Sequence, residues 1–260
     1  LSDSNQNVLS RFDGLAAGYD RHRPSYPAAA IDYLIRVCAL VPGSRVVDVG
    51  CGTGISTRLL AARGLEVIGI EPNADMRRQA ELIGCPAGPA ASFREGRAEA
   101  TGLPDACASL VIAAQAFHWF ANESSLREFH RLLRPGGWVA LIWNEQDRND
   151  PFTAAYFDAL VRHSPEPHLA TRAHAGSGEK LLNYTLFEQR QRIEFPHDQK
   201  LDHEQLIGRA FSASYAPREG DAKQKLVSEL DEAFAKYQCD GQVSMRYQTV
   251  VYLGKKPVHG

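Results

Sequence analysis

Apolar residues fall along this chain in two alternating rhythms. Ile31, Leu34, Ile35 and Cys38 recur at i, i+3, i+4 and i+7, the spacing that puts apolar side chains on one helical face. Pro27 suits the first turn of that helix, and Pro42-Gly43 stops it. Val46-Val47-Asp48-Val49 is then a short β-branched run, and residues 65–70, 110–114 and 138–143 repeat its continuous apolar texture. Strands that are apolar without alternation are buried on both faces, as in the middle of a parallel sheet. Helical stretches separate them: residues 55–62, residues 73–83 with Asn73 as cap, and residues 122–133. In the last, Leu126, Phe129, His130 and Leu133 share a face before Arg134-Pro135-Gly136-Gly137 ends the helix. Strand and helix in alternation predict a doubly wound (Rossmann-like) α/β fold with a mostly parallel sheet.

After Asn144 the texture changes. Residues 145–151 are polar, and residues 163–178 are rich in Pro, His and Gly with little periodicity, which predicts an insertion or a cap. A helical pattern returns with Leu226, Leu230, Ala233, Phe234 and Tyr237, and residues 244–253 form a β-rich segment that can pair with residues 190–195 as an antiparallel hairpin. No repeat interrupts this order. The chain is therefore expected to be one domain over residues 1–260: a core at 10–145, inserts at 146–240 capping a substrate, and a final strand at 241–260.

Composition narrows the classes of function. With 29 basic and 31 acidic residues among 260, the formal charge is -2, so no electrostatic footprint for nucleic acid is present. The longest apolar runs, 110–117 and 138–143, fall far short of the roughly 20 residues that cross a bilayer. Leu1 to Asn7 show neither the basic nor the apolar region of a secretory leader. The five cysteines are odd in number, scattered, and never in Cys-x-x-Cys spacing, which argues against a disulfide framework or a thiolate metal site. These features point to a cytoplasmic protein with no membrane span, no nucleic-acid partner and no metal. They carry no signal for oligomeric state.

The chemistry concentrates in Asp48-Val49-Gly50-Cys51-Gly52-Thr53-Gly54, a strand running through a glycine turn into a helix that opens at Ile55. Glycines let the main chain take conformations closed to other residues and let a ligand approach it without meeting a Cβ. A glycine triplet alone is equally an ordinary tight turn. Glu71, at the end of the next strand and 21 residues past Gly50, separates the two readings. In a doubly wound sheet it faces the glycine turn across the switch point, where a carboxylate accepts from both hydroxyls of a ribose. A dinucleotide fingerprint beginning at Gly50 needs its third glycine at position 55, which is Ile55. Asp48, just before the turn, suits a ligand ammonium, held directly or through water, and repels a diphosphate. The ligand expected is a nucleoside with an amino-acid tail, and a nicotinamide-dependent oxidoreductase is disfavoured.

At these residues the sequence resembles the class I S-adenosylmethionine-dependent methyltransferases. The likeness continues through Gly96-Arg97-Ala98-Glu99, the strand approached from Asp105, and Leu133 to Trp138. It is nearest to the trans-aconitate-type, methyltransferase type 11 branch, through Ala114-Gln115-Ala116-Phe117-His118-Trp119-Phe120 and the spaced Phe12, Tyr19, Arg23-Pro24 and Tyr26-Pro27. It covers most of residues 10–145 and is looser beyond.

The resemblance implies a seven-stranded, mostly parallel sheet with a C-terminal antiparallel hairpin, and S-adenosylmethionine as cofactor with S-adenosylhomocysteine as product. It implies Gly50, Cys51 and Gly52 against the methionine moiety, Glu71 on the ribose, Met76 near the adenine, and Ala98 offering it a backbone N–H. Arg97 stands where many relatives carry an aspartate for the adenine amino group, and Glu99 is the substitute. Gln115 would lie beside the sulfonium, and Tyr19 and Arg23 would reach the amino-acid carboxylate or cover the site. The acceptor implied is a small organic molecule, by analogy a carboxylate. Methylation of a quinone or phenol at carbon or oxygen, and a catalytically silent cofactor-binding module, are the alternatives.

Methyl transfer from a sulfonium needs positioning and desolvation but no metal. His163, His168 and His174 lie in the Pro/Gly-rich region without helical ligand spacing. His118, among Phe117, Trp119 and Phe120, is either a general base towards an acceptor or a structural histidine. Trp119, Trp143 and Asn144 are either acceptor-pocket wall or core.

Overall fold

The computed structural model describes residues 20–85, 91–168 and 176–258. Along the chain run α1 (Ala28–Val37), β1 (Arg45–Val49), α2 (Ile55–Ala61), β2 (Glu66–Ile70), α3 (Ala74–Ile83), β3 (Ser92–Arg94) and β4 (Ala108–Ala114). They are followed by α4 (Glu123–Leu132), β5 (Leu133–Gln146), α5 (Pro151–His163), α6 (Ser177–Asn183), β6 (Glu188–Leu201), α7 (His203–Phe211), α8 (Gly220–Tyr237) and β7 (Val243–Lys255). The seven strands form one sheet in the order β3-β2-β1-β4-β5-β7-β6. β3, β2, β1, β4 and β5 are parallel, and β7 runs antiparallel between β5 and β6.

The continuous apolar strands are covered on both faces. Val46, Leu110, Ile112, Ala140 and Ile142 pack towards Ile31, Leu34 and Leu60 of α1 and α2. Their neighbours Val47, Val49, Val111, Val139 and Leu141 pack towards Leu126, Phe129 and Leu132 of α4. Successive strand residues point to opposite faces, so each strand contributes to both layers. Asn73 caps α3 by accepting from the Met76 N–H at 2.9 Å, and Asn122 caps α4 by accepting from the Ser125 N–H at 2.9 Å.

The second half departs from the sequence reading in two ways. Arg134 to Gly137 belong to β5 itself, whose first residue follows α4 directly; Gly136 donates to the Lys256 carbonyl at 3.1 Å and Lys256 to the Gly137 carbonyl at 2.8 Å. Residues 151–163, 177–183, 203–211 and 220–237 are helical. In α5 the Asp150 side chain accepts from the Thr153 N–H, Pro151 holds the first turn, and Phe152, Tyr156, Ala159 and Leu160 are buried. In α7 Asp202 and Gln205 form a reciprocal capping box. α5, α7 and α8 share a third apolar cluster with Val243, Met245 and Tyr247 of β7. The antiparallel pairing of β6 with β7 runs from Glu188↔Lys255 to Leu201↔Val243, longer than the sequence suggested. No described helix is long and apolar enough to cross a membrane.

Candidate functional site

Helices cover both faces of the sheet, so its open crevice lies beyond the carboxyl ends of the parallel strands, where the order reverses between β1 and β4. A cavity of about 900 Å³ occupies that place. This is at the large end for small-molecule sites.

The β1–α2 turn forms its floor. Gly50 has φ +69°, and a Cβ there would lie 2.7 Å from the Ala116 Cβ, so only hydrogen fits between the turn and the segment after β4. Gly52 has φ +55°, but a Cβ there would meet nothing within 4 Å. The space that side chain would fill belongs to the cavity.

Glu71 closes the turn from β2. Its Oε2 accepts from the Gly52 N–H at 2.9 Å and its Oε1 from the Asn73 N–H at 2.8 Å. Arg77 donates to its carbonyl at 2.8 Å. Above the turn, Gly50 and Cys51 donate to the Ile70 carbonyl at 2.8 and 3.2 Å. The carboxylate therefore lies on the same side of the sheet as the glycines, with a second lone pair on each oxygen still able to accept. Burial raises its pKa, while the Asn73 and Gly52 N–H groups and Arg77 favour the ionised form.

Arg23, Cys51, Met76, Ala98, Glu99 and Gln115 also line the cavity, as do His118, Trp119 and Asn144. Gln115 has φ +57°, an uncommon conformation for a residue other than glycine. Its N–H donates to the Ile142 carbonyl at 2.8 Å and its Nε2 to the Asn144 carbonyl at 3.4 Å. Asn144 is fixed in turn by the Ser25 carbonyl at 3.0 Å and the Thr249 hydroxyl at 2.6 Å. Glu99 accepts from the Asn122 side chain at 3.0 Å.

Asp48, expected at the ligand, and Trp143, read as either wall or core, both stand behind the wall. Asp48 is fully buried and off the cavity: its Oδ2 accepts from the Ser56 and Thr57 hydroxyls at 2.6 and 2.7 Å, beneath the first turn of α2. Its Oδ1 has no hydrogen-bond partner among the described residues, and burial raises its pKa to about 6. Trp143 is a core residue, edge-on to Tyr252 with ring centroids 5.7 Å apart. Its Nε1 donates to His118 Nδ1 at 3.4 Å. Tyr19, Phe12 and His174 lie outside the described residues.

Further wall residues went unread in the sequence. Arg209 and Tyr215 come from α7 and the segment after it, and Glu179, Arg192 and Tyr252 come from α6, β6 and β7. Tyr252 donates to Glu179 at 3.1 Å and accepts from Arg192 at 3.2 Å. These positions form no local motif. Asp20 also bears on the turn, accepting from the Thr53 hydroxyl at 2.9 Å and pairing with Arg58. Among the described residues no three His, Cys, Asp or Glu side chains cluster as metal ligands.

The family model described as a methyltransferase domain matches residues 47–141. An uncharacterised methyltransferase-like protein of Schizosaccharomyces pombe is 30% identical over 263 residues, covering 95% of this chain and 96% of its own. A protein of Anaeromyxobacter dehalogenans, assigned as a type II methyltransferase, superposes with a TM-score of 0.62 at 24% identity, over 91% of this chain and 98% of its own. The phosphoethanolamine N-methyltransferase 2 of Haemonchus contortus, solved with S-adenosyl-L-methionine, has a TM-score of 0.58 at 14% identity, over 97% of this chain and 60% of its own. With the seven-stranded sheet, the glycine turn and the acidic strand end in place, the chain belongs to the class I methyltransferase family, in its type 11 branch.

Proposed function

We propose that the protein transfers a methyl group from S-adenosylmethionine to a small organic acceptor, with a carboxylic acid as the first class to test. One observation carries this reading: the Glu71 carboxylate clasps the Gly52 N–H at 2.9 Å beside a position where a Cβ would meet only open space. That pair suits a ribose beside an amino-acid tail, and the residues present fit the group. Bound S-adenosylmethionine supplies an electrophilic methyl on a sulfonium whose thioether leaves uncharged.

The protein's own part is positioning and exclusion of water. Glu71 is oriented before any ligand arrives, because two backbone donors already hold it. Met76 and Ala98, 3% and 5% exposed, give an apolar bed for the adenine. Gln115, held between β4 and β5, borders the transfer point. Asp48 acts from behind, tying the turn to α2 through Ser56, which itself lines the cavity.

His118 enters as a donor rather than as a base. Indole Nε1–H can only donate, so the 3.4 Å contact makes His118 Nδ1 the acceptor and puts the proton of the neutral ring on Nε2. An Nε2–H offers a hydrogen bond to an acceptor oxygen. The reading is tested by turnover of S-adenosylmethionine to S-adenosylhomocysteine with a panel of carboxylic acids and phenols. Acceptor-dependent product supports it, whereas binding without turnover across the panel identifies a silent binding module.

A further inference from the structure

The part of the cavity wall built by α7 holds a buried cation. Arg209 is 6% exposed and lines the cavity. Its Nε donates to the Tyr247 hydroxyl and its Nη1 to the Ser212 hydroxyl, both at 3.4 Å. Both bonds are long and both partners neutral. Among the described residues no carboxylate pairs with it; burial opposes its charge, and the phenols of Tyr247, Tyr156 and Tyr215 lie around it. A second guanidinium converges on the same place: Arg23 donates to the Ser212 carbonyl at 3.2 Å and lines the same cavity. The buried Tyr156 hydroxyl, within electrostatic reach of both arginines, has no hydrogen-bond partner among the described residues.

Burying a cation such as Arg209 without a counter-charge is costly. An oxyanion beside it offsets that penalty through charge-assisted hydrogen bonds, and Arg presents a fork that fits carboxylate or phosphate. Position along the sheet says which ligand brings it. Tyr247 stands opposite Gln146 in the β5–β7 register, four residues past Ile142, whose carbonyl holds the Gln115 N–H. Four strand residues span roughly 13 Å, so the strand position whose side chain Arg209 contacts is displaced along β5 and β7 from the one that holds Gln115.

We propose that Arg209 anchors the methyl acceptor by an oxyanion, carboxylate or phosphate, at the end remote from the atom that is methylated. The word acceptor rests on the methyltransferase reading; the anion site does not. The test is calorimetric titration of the full chain with succinate, citrate and inorganic phosphate, and with the neutral controls succinamide and dimethyl succinate. Each is run with and without saturating S-adenosylhomocysteine, on the unaltered protein, Arg209→Met and Arg209→Lys. At least one oxyanion is expected to bind, to bind equally with S-adenosylhomocysteine present, and to weaken at least about tenfold in Arg209→Met, with Arg209→Lys between. The carboxylate and phosphate arms identify the group. Unchanged affinity for S-adenosylhomocysteine in both variants shows that the fold and the cofactor side are intact. Binding of no oxyanion, equal binding by Arg209→Met, or no preference over the neutral controls overturns the proposal. Competition with S-adenosylhomocysteine also overturns it, placing Arg209 on the cofactor side. Failure of S-adenosylhomocysteine to bind, with Arg209-dependent oxyanion binding retained, defeats the methyltransferase reading and leaves the anion site standing.

Discussion

On the wall built by β1 and β2, backbone groups and one carboxylate hold each other within 21 residues of sequence, from Gly50 to Glu71. On the opposite wall, side chains from distant segments meet: Arg23 reaches Ser212 across 189 residues, and Arg209 reaches Tyr247 from a different element. The first wall is fixed by main-chain geometry that any ligand must accept, so it suits a constant partner. The second is made of exchangeable side chains on helices packed around their own apolar cluster, so it is where differences of substrate can be written. If that division holds, damage to one wall should leave binding at the other intact.

The largest effect is expected at Gly52. Gly52→Val adds a side chain to the cavity at φ +55°, so S-adenosylhomocysteine affinity should fall at least about a hundredfold, while stability falls by only about 1–2 kcal/mol. Thermal melts and titration on the same sample check both, and retained oxyanion binding would sharpen the comparison.

Asp48 comes next, and pH exposes it. Its folded pKa of about 6 exceeds the ordinary 3.8, so folding favours the protonated form. That stabilisation is complete below pH 3.8 and is lost as pH rises through about 6. Asp48→Asn should therefore make the ligand-free protein more stable at pH 8, by at most about 3 kcal/mol, with the advantage vanishing near pH 4. Denaturant titrations at the two pH values measure it; an Asn variant less stable at pH 8 would show that the ionised form is not the strained one.

A smaller effect is expected at His118. Its role as a donor predicts that His118→Gln keeps most of kcat while His118→Leu loses up to about tenfold. Equal losses in both, with the unaltered enzyme following imidazole titration, would restore the general base. The smallest change is expected from Asp20→Asn, which loosens a partly exposed clamp on Thr53 and Arg58. About 1 kcal/mol or less should follow in melting and in cofactor affinity.

The difference between the walls also explains what the sequence could disclose. The buried strands, the Asn73 cap and the Gly50–Glu71 pairing are local or depend on one crossover, so spacing alone exposes them. Asp48 was legible as important but not as hidden: residue type cannot tell whether a carboxylate faces a ligand or the Ser56 and Thr57 hydroxyls. α5 and α7 carried readable signals in Asp150-Pro151 and in the Asp202-to-Gln205 box, masked by the polar surroundings of each. Arg209 and Tyr215 offered none, because their chemistry exists only once α7 lies beside β7.

The most direct measurement is titration of S-adenosylhomocysteine into the folded full chain and into Glu71→Gln, which cannot accept from both the Gly52 and Asn73 N–H groups. Saturable binding of one equivalent, weakened about tenfold or more by the substitution, is the predicted result. No binding to a sample that melts cooperatively, or the same affinity with and without the carboxylate, would contradict it.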